Sequence, residues 1–295
     1  MTPPNHAATA SRRALAVLIA ALAAVLLAAC GSENESSEQD ASAPTEETSG
    51  QAAELSGEEQ AAVDEYRQYA IENADELVAE TDKFLDLVAD EDIEGAKEQY
   101  ITARLPFERI EPVAGALGDL DPSLDAREGD VSDATWGGFH YFEKKLWIEE
   151  DVSDLEDYID ETSADVRELQ ELAPDLELVP ADIAQGSVDL LGEVSASKIT
   201  GEEERYSHLD LYDFEANVEG SETAFDAVSP LIADAQLKDD VSQRFADVYD
   251  MLDQYSDGDG FVSYEEVDKA GRRELSQGLD ALAEPLSQAA GQVKG

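Results

Sequence analysis

The sequence is poor in the residue types that build many binding sites, with one cysteine and three histidines among 295 residues. A single cysteine excludes an intrachain disulfide framework, a Cys-x-x-Cys redox pair and a cysteine-rich zinc site. Basic residues are also scarce, because 19 Lys and Arg stand against 70 Asp and Glu, which gives a net charge of −51. Nucleic-acid binding requires cationic side chains that neutralise phosphates, so no nucleic-acid partner is expected. Any metal site must consist mostly of carboxylates.

The sequence also lacks a run with convincing strand alternation, and its apolar residues recur at three- and four-residue steps instead. A capping-box pattern at Ser56 and Glu59 opens the first such segment. We therefore expect an all-α fold in a helical domain over 56–290, built as two four-helix bundles packed end to end with a join near 173–182. The expected helices are 57–89, 92–117, 134–150, 153–172, 181–197, 207–219, 222–235, 238–255 and 262–290.

Residues 1–29 have the pattern of a lipoprotein signal peptide. Arg12 and Arg13 precede an unbroken apolar run over 14–29, and Cys30 follows it in a sequence that resembles the bacterial lipobox. The run is short for a membrane span of about 20 residues. A lipid on Cys30 would anchor the protein to the outer face of the cell membrane without spanning it. An ordinary signal peptide with an incidental cysteine is the alternative, and export by either the general or the twin-arginine route fits the pattern.

Residues 30–55 are rich in Ser, Glu and Thr and contain almost no large aliphatic residue. This composition predicts a disordered acidic tether between the membrane anchor and the helical domain. The remaining acids are spread over the whole chain, which is typical of a protein with a strongly hydrated, salt-tolerant surface. Only acids in specific constellations are therefore candidates for function.

Two pairs of side chains with helical spacing stand out as candidate metal ligands. Glu108 and Glu111 are separated by three positions, as are His140 and Glu143. On a helix, each pair lies on one face with Cβ atoms about 5–6 Å apart, so both side chains can reach one cation. Gly137-Gly138, directly before the second pair, would let the backbone approach another element closely. The alternatives are a packed core histidine and a solvated acidic face.

Several longer motifs resemble the imelysin-like EfeO/EfeM family, and the likeness runs from about 57 to 290. The segments that carry it are Ala103–Ala114, Asp119–Arg127, Gly138–Trp147, Gly201–Gly220 and Gly258–Tyr264. The resemblance implies an iron-uptake component of the ferrous-iron Efe system, in the periplasm or on the cell surface, that passes iron to a membrane permease. Longer relatives carry an N-terminal cupredoxin domain where this chain has a tether, so the chain is similar to the short EfeM type.

The resemblance also implies a metal site around the family's His-x-x-Glu motif. Acids from the later motif would close that site from the second bundle, and two arginines would orient spare carboxylates. The implied ligands are His140, Glu143, Glu108, Glu111 and Asp125, with Asp210 or Glu204 from the later motif, and the orienting residues are Arg104 and Arg127.

Carboxylates with one imidazole suit iron, manganese or zinc, and copper stays open. Iron is the expected cargo, in either oxidation state. A separate segment, Asp257–Glu266, matches part of a calcium-binding EF-hand loop, but Tyr255 stands where the loop needs its first carboxylate. A helix-joining turn is therefore expected there, and calcium is not.

Two other functions compete with iron capture. Imelysin relatives are sometimes classed as metallopeptidases, although the sequence has no His-Glu-x-x-His motif. A polysaccharide-binding lipoprotein, which would bind anionic sugars through bridging cations, is the third hypothesis. The sequence predicts a binding protein rather than an enzyme.

Overall fold

A computed structural model describes residues 55–258 and 260–294. The predicted signal peptide, Cys30 and the tether up to residue 54 lie outside these residues. The prediction of an all-α fold is confirmed. The helices are α1 Gly57–Ala89, α2 Ile93–Ile110, α3 Leu120–Asp125, α4 Gly138–Lys144, α5 Glu156–Leu172, α6 Pro180–Ala196, α7 Asp210–Val228, α8 Ala235–Leu252 and α9 Lys269–Ala290. Within the described part of the chain, no helix is both long enough and apolar enough to cross a membrane.

Helix α1 begins at the predicted residue because the capping box forms. The Ser56 amide donates to Glu59 Oε2 at 2.7 Å, and the Glu59 amide donates to Ser56 Oγ at 3.3 Å. These two bonds satisfy backbone and side-chain groups that a helix end otherwise leaves unpaired. The apolar stripe of α1, which runs from Val63 to Val88, is buried as its spacing predicts.

The helices pack in two groups around one continuous apolar core. Helix α1 packs against α2, α5 and α7, whereas α6 packs against α7 and α9, and α8 against α9. The buried apolar residues of both groups belong to one cluster. The division into two bundles with a join near 173–182 stays a prediction, and the short 3-10 helix Ala173–Asp175 and the start of α6 lie in that interval.

Several predicted helix boundaries are wrong. The break expected at Gly220 is absent, because α7 continues through it from Asp210 to Val228. A Cβ atom at Gly220 would lie 2.1 Å from the carbonyl oxygen of Arg109, so this glycine permits close packing of α7 on α2 rather than a turn. The loop expected over 118–132 contains the short helix α3.

The segment between α8 and α9 forms a small antiparallel hairpin. Strands β1 (Ser256–Asp257) and β2 (Gly260–Phe261) pair there. Helix α9 therefore begins at Lys269, later than the predicted residue 262. The hairpin joins two helices, which agrees with the turn predicted for this segment.

Candidate metal centre

The candidate site lies where α2, α3, α4 and the connection from α6 to α7 meet. Gly138, at the start of α4, has φ +71°, and a Cβ atom there would lie 2.3 Å from the carbonyl oxygen of Leu124 at the end of α3. Only glycine accommodates both this backbone conformation and this approach. The close contact brings His140 of α4 next to Asp125 of α3, as the Gly-Gly pair predicted for some neighbouring element.

The two ring nitrogens of His140 have different surroundings. Nδ1 lies 3.1 Å from Glu143 Oε2, within hydrogen-bond distance. Nε2 has no hydrogen-bond partner although the side chain is only 1% exposed. It lies 3.5 Å from Asp125 Oδ1 and 3.9 Å from Glu203 Oε1. A buried, unpartnered nitrogen between two carboxylates is the arrangement expected where a cation binds.

Two overlapping ligand sets share the imidazole. Asp125, His140 and Glu203 form one, and His140, Glu143 and Glu204 form the other, each with its ligand atoms within 4.8 Å of one another. Four of the residues named from the sequence, His140, Glu143, Asp125 and Glu204, are therefore together in the structure.

Glu143 is held firmly in place. Its Oε1 atom accepts hydrogen bonds from the backbone amides of Tyr206, at 2.7 Å, and Ser207, at 2.8 Å. Burial opposes ionisation of Glu143, but the hydrogen bond and charge of His140, together with these amides, lower its pKa below the ordinary value. The carboxylate can thus fix the orientation of the imidazole ring.

The charges around His140 favour its protonation. Burial and the charge of Arg104 oppose a proton on the imidazole, but the nearby carboxylates of Asp125, Glu143 and Glu203 outweigh them and hold the His140 pKa well above its ordinary value. Burial also opposes ionisation of Asp125 and Glu203. Arg104 nevertheless lowers the Asp125 pKa, and Lys198 holds the Glu203 pKa well below its usual range. Both carboxylates are therefore charged at neutral pH.

Glu204 has a pKa that is shifted in the opposite direction to those of Asp125 and Glu203. Its burial, and next the nearby charge of Glu143, raise its pKa to about 8. Tyr100 donates a hydrogen bond to Glu204 Oε1 at 3.2 Å, and Ser207 donates to Oε2. Glu204 thus carries a proton at neutral pH unless a cation replaces it.

Arg104, from α2, is a fully buried guanidinium at the centre of the cluster. Its Nη1 atom donates to Asp125 Oδ1 at 2.7 Å, its Nε atom lies 2.9 Å from Glu204 Oε1, and its Nη2 atom donates to Glu108. The role that the resemblance implies for Arg104, which is to orient carboxylates, stays a prediction. Arg127 contacts Glu203, with Nη1 and Oε2 3.0 Å apart.

Glu108 and Glu111 belong to neither of the two ligand sets around His140. Both contact the buried ammonium of Lys198, with Nζ 2.8 Å from Glu111 Oε2 and 3.2 Å from Glu108 Oε2. Asn217 Nδ2 donates to the same two oxygens at 2.8 and 2.9 Å. Their assignment as ligands stays a prediction.

Asp210 contacts the backbone of the segment that joins α6 to α7. Its Oδ1 atom accepts a hydrogen bond from the Glu204 amide at 3.3 Å. Burial raises the Asp210 pKa to about 6. The neighbouring Asp213 has two carboxylate oxygens without hydrogen-bond partners, and burial together with the charge of Glu108 raises its pKa well above the ordinary value. Asp210 also stays a predicted ligand.

The sequence reasoning missed several members of the cluster. The carboxylates Glu203 and Asp213, the ammonium of Lys198 and the amide of Asn217 are all buried here. Glu203 is adjacent to the predicted Glu204, and Asp213 and Asn217 follow Asp210 at helical spacing. These spacings were the available signal, whereas Lys198 had none. With them the cluster holds eight carboxylates, which belong to Glu108, Glu111, Asp125, Glu143, Glu203, Glu204, Asp210 and Asp213.

These features define a helical-bundle protein with an internal cluster of one imidazole and many carboxylates, a donor set that suits transition metals. Residues 62–289 match the family model described as Imelysin, Peptidase_M75. An "Efem/EfeO family lipoprotein" of Staphylococcus haemolyticus (strain JCSC1435) is 41% identical over 273 residues, which cover 90% of this chain and 94% of the relative. A protein of the same description from Staphylococcus aureus (strain USA300) is 41% identical over 233 residues, which cover 76% and 82%. The chain belongs to the imelysin family.

Proposed function

We propose that this protein is an extracytoplasmic lipoprotein of an Efe-type iron uptake system that captures iron and delivers it to a membrane permease. The printed descriptions of its relatives, which combine the Efem/EfeO family with the word lipoprotein, support this proposal. The lipobox-like sequence before Cys30 supports attachment to the outer face of the cell membrane.

The observation that carries iron binding is the environment of His140 Nε2. This nitrogen is buried, has no hydrogen-bond partner and faces the charged oxygens of Asp125 and Glu203. We assign these three side chains as the iron ligands. Glu143, which contacts Nδ1, orients the imidazole from behind, as a carboxylate does for many metal-bound histidines.

The cluster holds more acidic groups than basic ones. Eight carboxyl groups, of which Glu204 carries a proton at neutral pH, surround four cationic groups, namely Arg104, Arg127, Lys198 and the protonated His140. A divalent or trivalent cation reduces this imbalance, whereas a bound anion would increase it. Zinc and copper fit the same donors, so the choice of iron rests on the relatives.

Titration calorimetry with Fe²⁺ under anaerobic conditions, and with Zn²⁺ and Cu²⁺, tests the assignment. His140→Asn should lower iron affinity at least a hundredfold, because it removes the only described imidazole in the cluster. His208→Asn is the matched control, since His208 joins neither ligand set and asparagine tolerates its φ of +61°. Equal iron affinity in the two variants would contradict the site.

Delivery requires a permease and is tested in cells. A strain that depends on this protein for iron should lose uptake with His140→Asn and keep it with His208→Asn. A variant that lacks Cys30 should bind iron normally in solution but lose uptake, because the membrane anchor is missing. Normal uptake by the Cys30 variant would contradict the role of the anchor.

We do not favour peptidase activity. Within the described residues no second imidazole joins the candidate ligands. Arg104 contacts Asp125 and Lys198 contacts Glu203, so neither carboxylate of the assigned ligand set is a free general base. Cleavage of an unfolded protein substrate by the wild type, abolished by His140→Asn, would contradict this conclusion.

A further inference from the structure

A cavity of about 730 Å³ lies beside the candidate metal centre. Its walls come from the 3-10 segment Glu111–Ala116, from α3 and from α6. Helix α6 approaches this segment closely, because a Cβ atom at Gly186 would lie 1.7 Å from the Pro112 carbonyl oxygen. The cavity is therefore bounded by tightly packed backbone on one side.

The cavity connects the surface to the candidate ligands. Asp189 and Glu193, one helical turn apart on α6, line it and are exposed to solvent. Asp125 and Glu203 line it as well, and the Glu203 side chain is only 2% exposed. His140 Nε2, which is buried and has no hydrogen-bond partner, lies within 3.9 Å of both. The cavity thus reaches two of the three candidate ligands, and both of them lie close to His140 Nε2.

The lining is almost uniformly anionic. Among the described residues nine carboxylates face the cavity, against a single cationic side chain, Arg127. Arg127 is already engaged, because its Nη1 atom contacts Glu203 Oε2 at 3.0 Å and its Nε atom contacts Asp130 Oδ2 at 2.9 Å. The exposed carboxylates at the rim of the cavity, Asp189 and Glu193, are therefore not neutralised by Arg127. Their negative field attracts cations and repels anions.

The volume limits what the cavity can receive. A water molecule occupies about 30 Å³ in the liquid, so a cation with six waters needs roughly 200 Å³. The cavity is far larger than a bare ion requires and accommodates a fully hydrated one. An iron complex with an excess of carboxylate or phenolate groups would fit by size but would be repelled by charge.

We propose that this cavity is the vestibule of the metal centre, which admits iron as a hydrated cation and rejects anionic iron chelates. The inference rests on the proposed function, since it names the form in which the iron of that site arrives. The vestibule raises the rate of capture through its rim charges, and the buried ligands hold the ion afterwards.

Stopped-flow measurement of Fe²⁺ association, under anaerobic conditions with tryptophan fluorescence as the signal, tests the rim. Asp189→Asn with Glu193→Gln should lower the association rate constant about three- to tenfold at low ionic strength and leave the dissociation rate constant unchanged. The difference should disappear at high salt, where the field is screened. Asp157→Asn with Glu161→Gln is the matched control, because these exposed residues of α5 have the same types and spacing.

An equal effect of both double variants, or no effect of either, would overturn the vestibule. A second measurement tests the form of the cargo, with ferric citrate that contains radiolabelled citrate as the probe. The wild type should retain no citrate, and retained citrate would overturn the rejection of anionic chelates. If the wild type binds no Fe²⁺ at all, the proposed function itself fails. If His140→Asn abolishes binding and the rim variant changes nothing, only the vestibule fails.

Discussion

Lys198 Nζ lies 3.3 Å from Glu203 Oε1, so a buried ammonium contacts a carboxylate of the candidate ligand set. The same ammonium contacts Glu108 and Glu111. Burial opposes the charge of Lys198, but these three carboxylates outweigh it and hold the Lys198 pKa well above its ordinary value. The lysine thus serves as a built-in cation that stabilises the cluster when no metal is bound.

Removal of this cation should destabilise the metal-free protein. Lys198→Met leaves buried carboxylates without a counterion, so we expect the free energy of unfolding to fall by about 3–5 kcal/mol. Urea denaturation in the presence of a chelator measures the change. Lys83→Met is the control, because Lys83 is 60% exposed in its pair with Glu80 and should cost less than about 1 kcal/mol. Equal losses in both variants would show that the buried contacts of Lys198 contribute no special stability.

Two neighbouring glutamates allow a sharp test of the ligand set. Glu203→Gln should lower iron affinity at least tenfold, because Glu203 is buried and faces His140 Nε2. Glu202→Gln should leave the affinity nearly unchanged, since the Glu202 side chain is 43% exposed and contacts Arg127 from the surface. Calorimetry on the two variants gives the comparison. Equivalent affinities would remove Glu203 from the ligands.

The sequence predicted part of this buried cluster but not all of it. The spacing of His140 and Glu143 and the capping box of α1 are local patterns. The first placed the two side chains on one face, where they are in contact, and the second placed the start of α1. Glu203 lies in a run of three identical acids after Gly201, which has φ +83°. Glu203 and Glu204 are buried, whereas the Glu202 side chain is 43% exposed. Which of the three acids are buried depends on the path of this connection, and that path depends on packing between distant helices.

Lys198 and Gly220 illustrate the same limit. Lys198 lies just beyond α6, where a lysine is ordinarily solvated, and its burial results from packing against acids of α2 some 90 residues away. Gly220 resembles a helix terminator in sequence, yet it lies within α7 because the backbone of α2 passes close by. Neither outcome is encoded in the neighbouring residues, so tertiary contacts decide both.

Iron binding should release protons, and their number distinguishes the two ligand sets. At pH 7 His140 is protonated, whereas Asp125 and Glu203 are charged, so their set should release about one proton per metal. A set with Glu204, whose pKa is raised to about 8, should release about two. Affinity must rise with pH in either case, because the metal requires the deprotonated imidazole.

Calorimetry of the wild type in buffers with different ionisation enthalpies measures this number. We expect about one proton at pH 7, and affinity that increases as the pH rises through the neutral range. Two released protons would favour the set of His140, Glu143 and Glu204. A binding enthalpy that does not depend on the buffer would contradict a protonated His140 in the metal-free protein.

The approach of α4 to α3 can be tested with two glycines that share a backbone conformation. Gly138 and Gly118 have φ values of +71° and +63°, but only a Cβ atom at Gly138 meets another atom, the Leu124 carbonyl oxygen at 2.3 Å. Gly118→Ala should therefore cost only the left-handed strain, about 1–2 kcal/mol of unfolding free energy. Gly138→Ala should cost more, and it should also weaken iron binding because α4 must move away from Asp125. Urea denaturation and calorimetry report the two effects separately. Equal stability losses with unchanged iron affinity would show that this backbone contact does not set the position of His140.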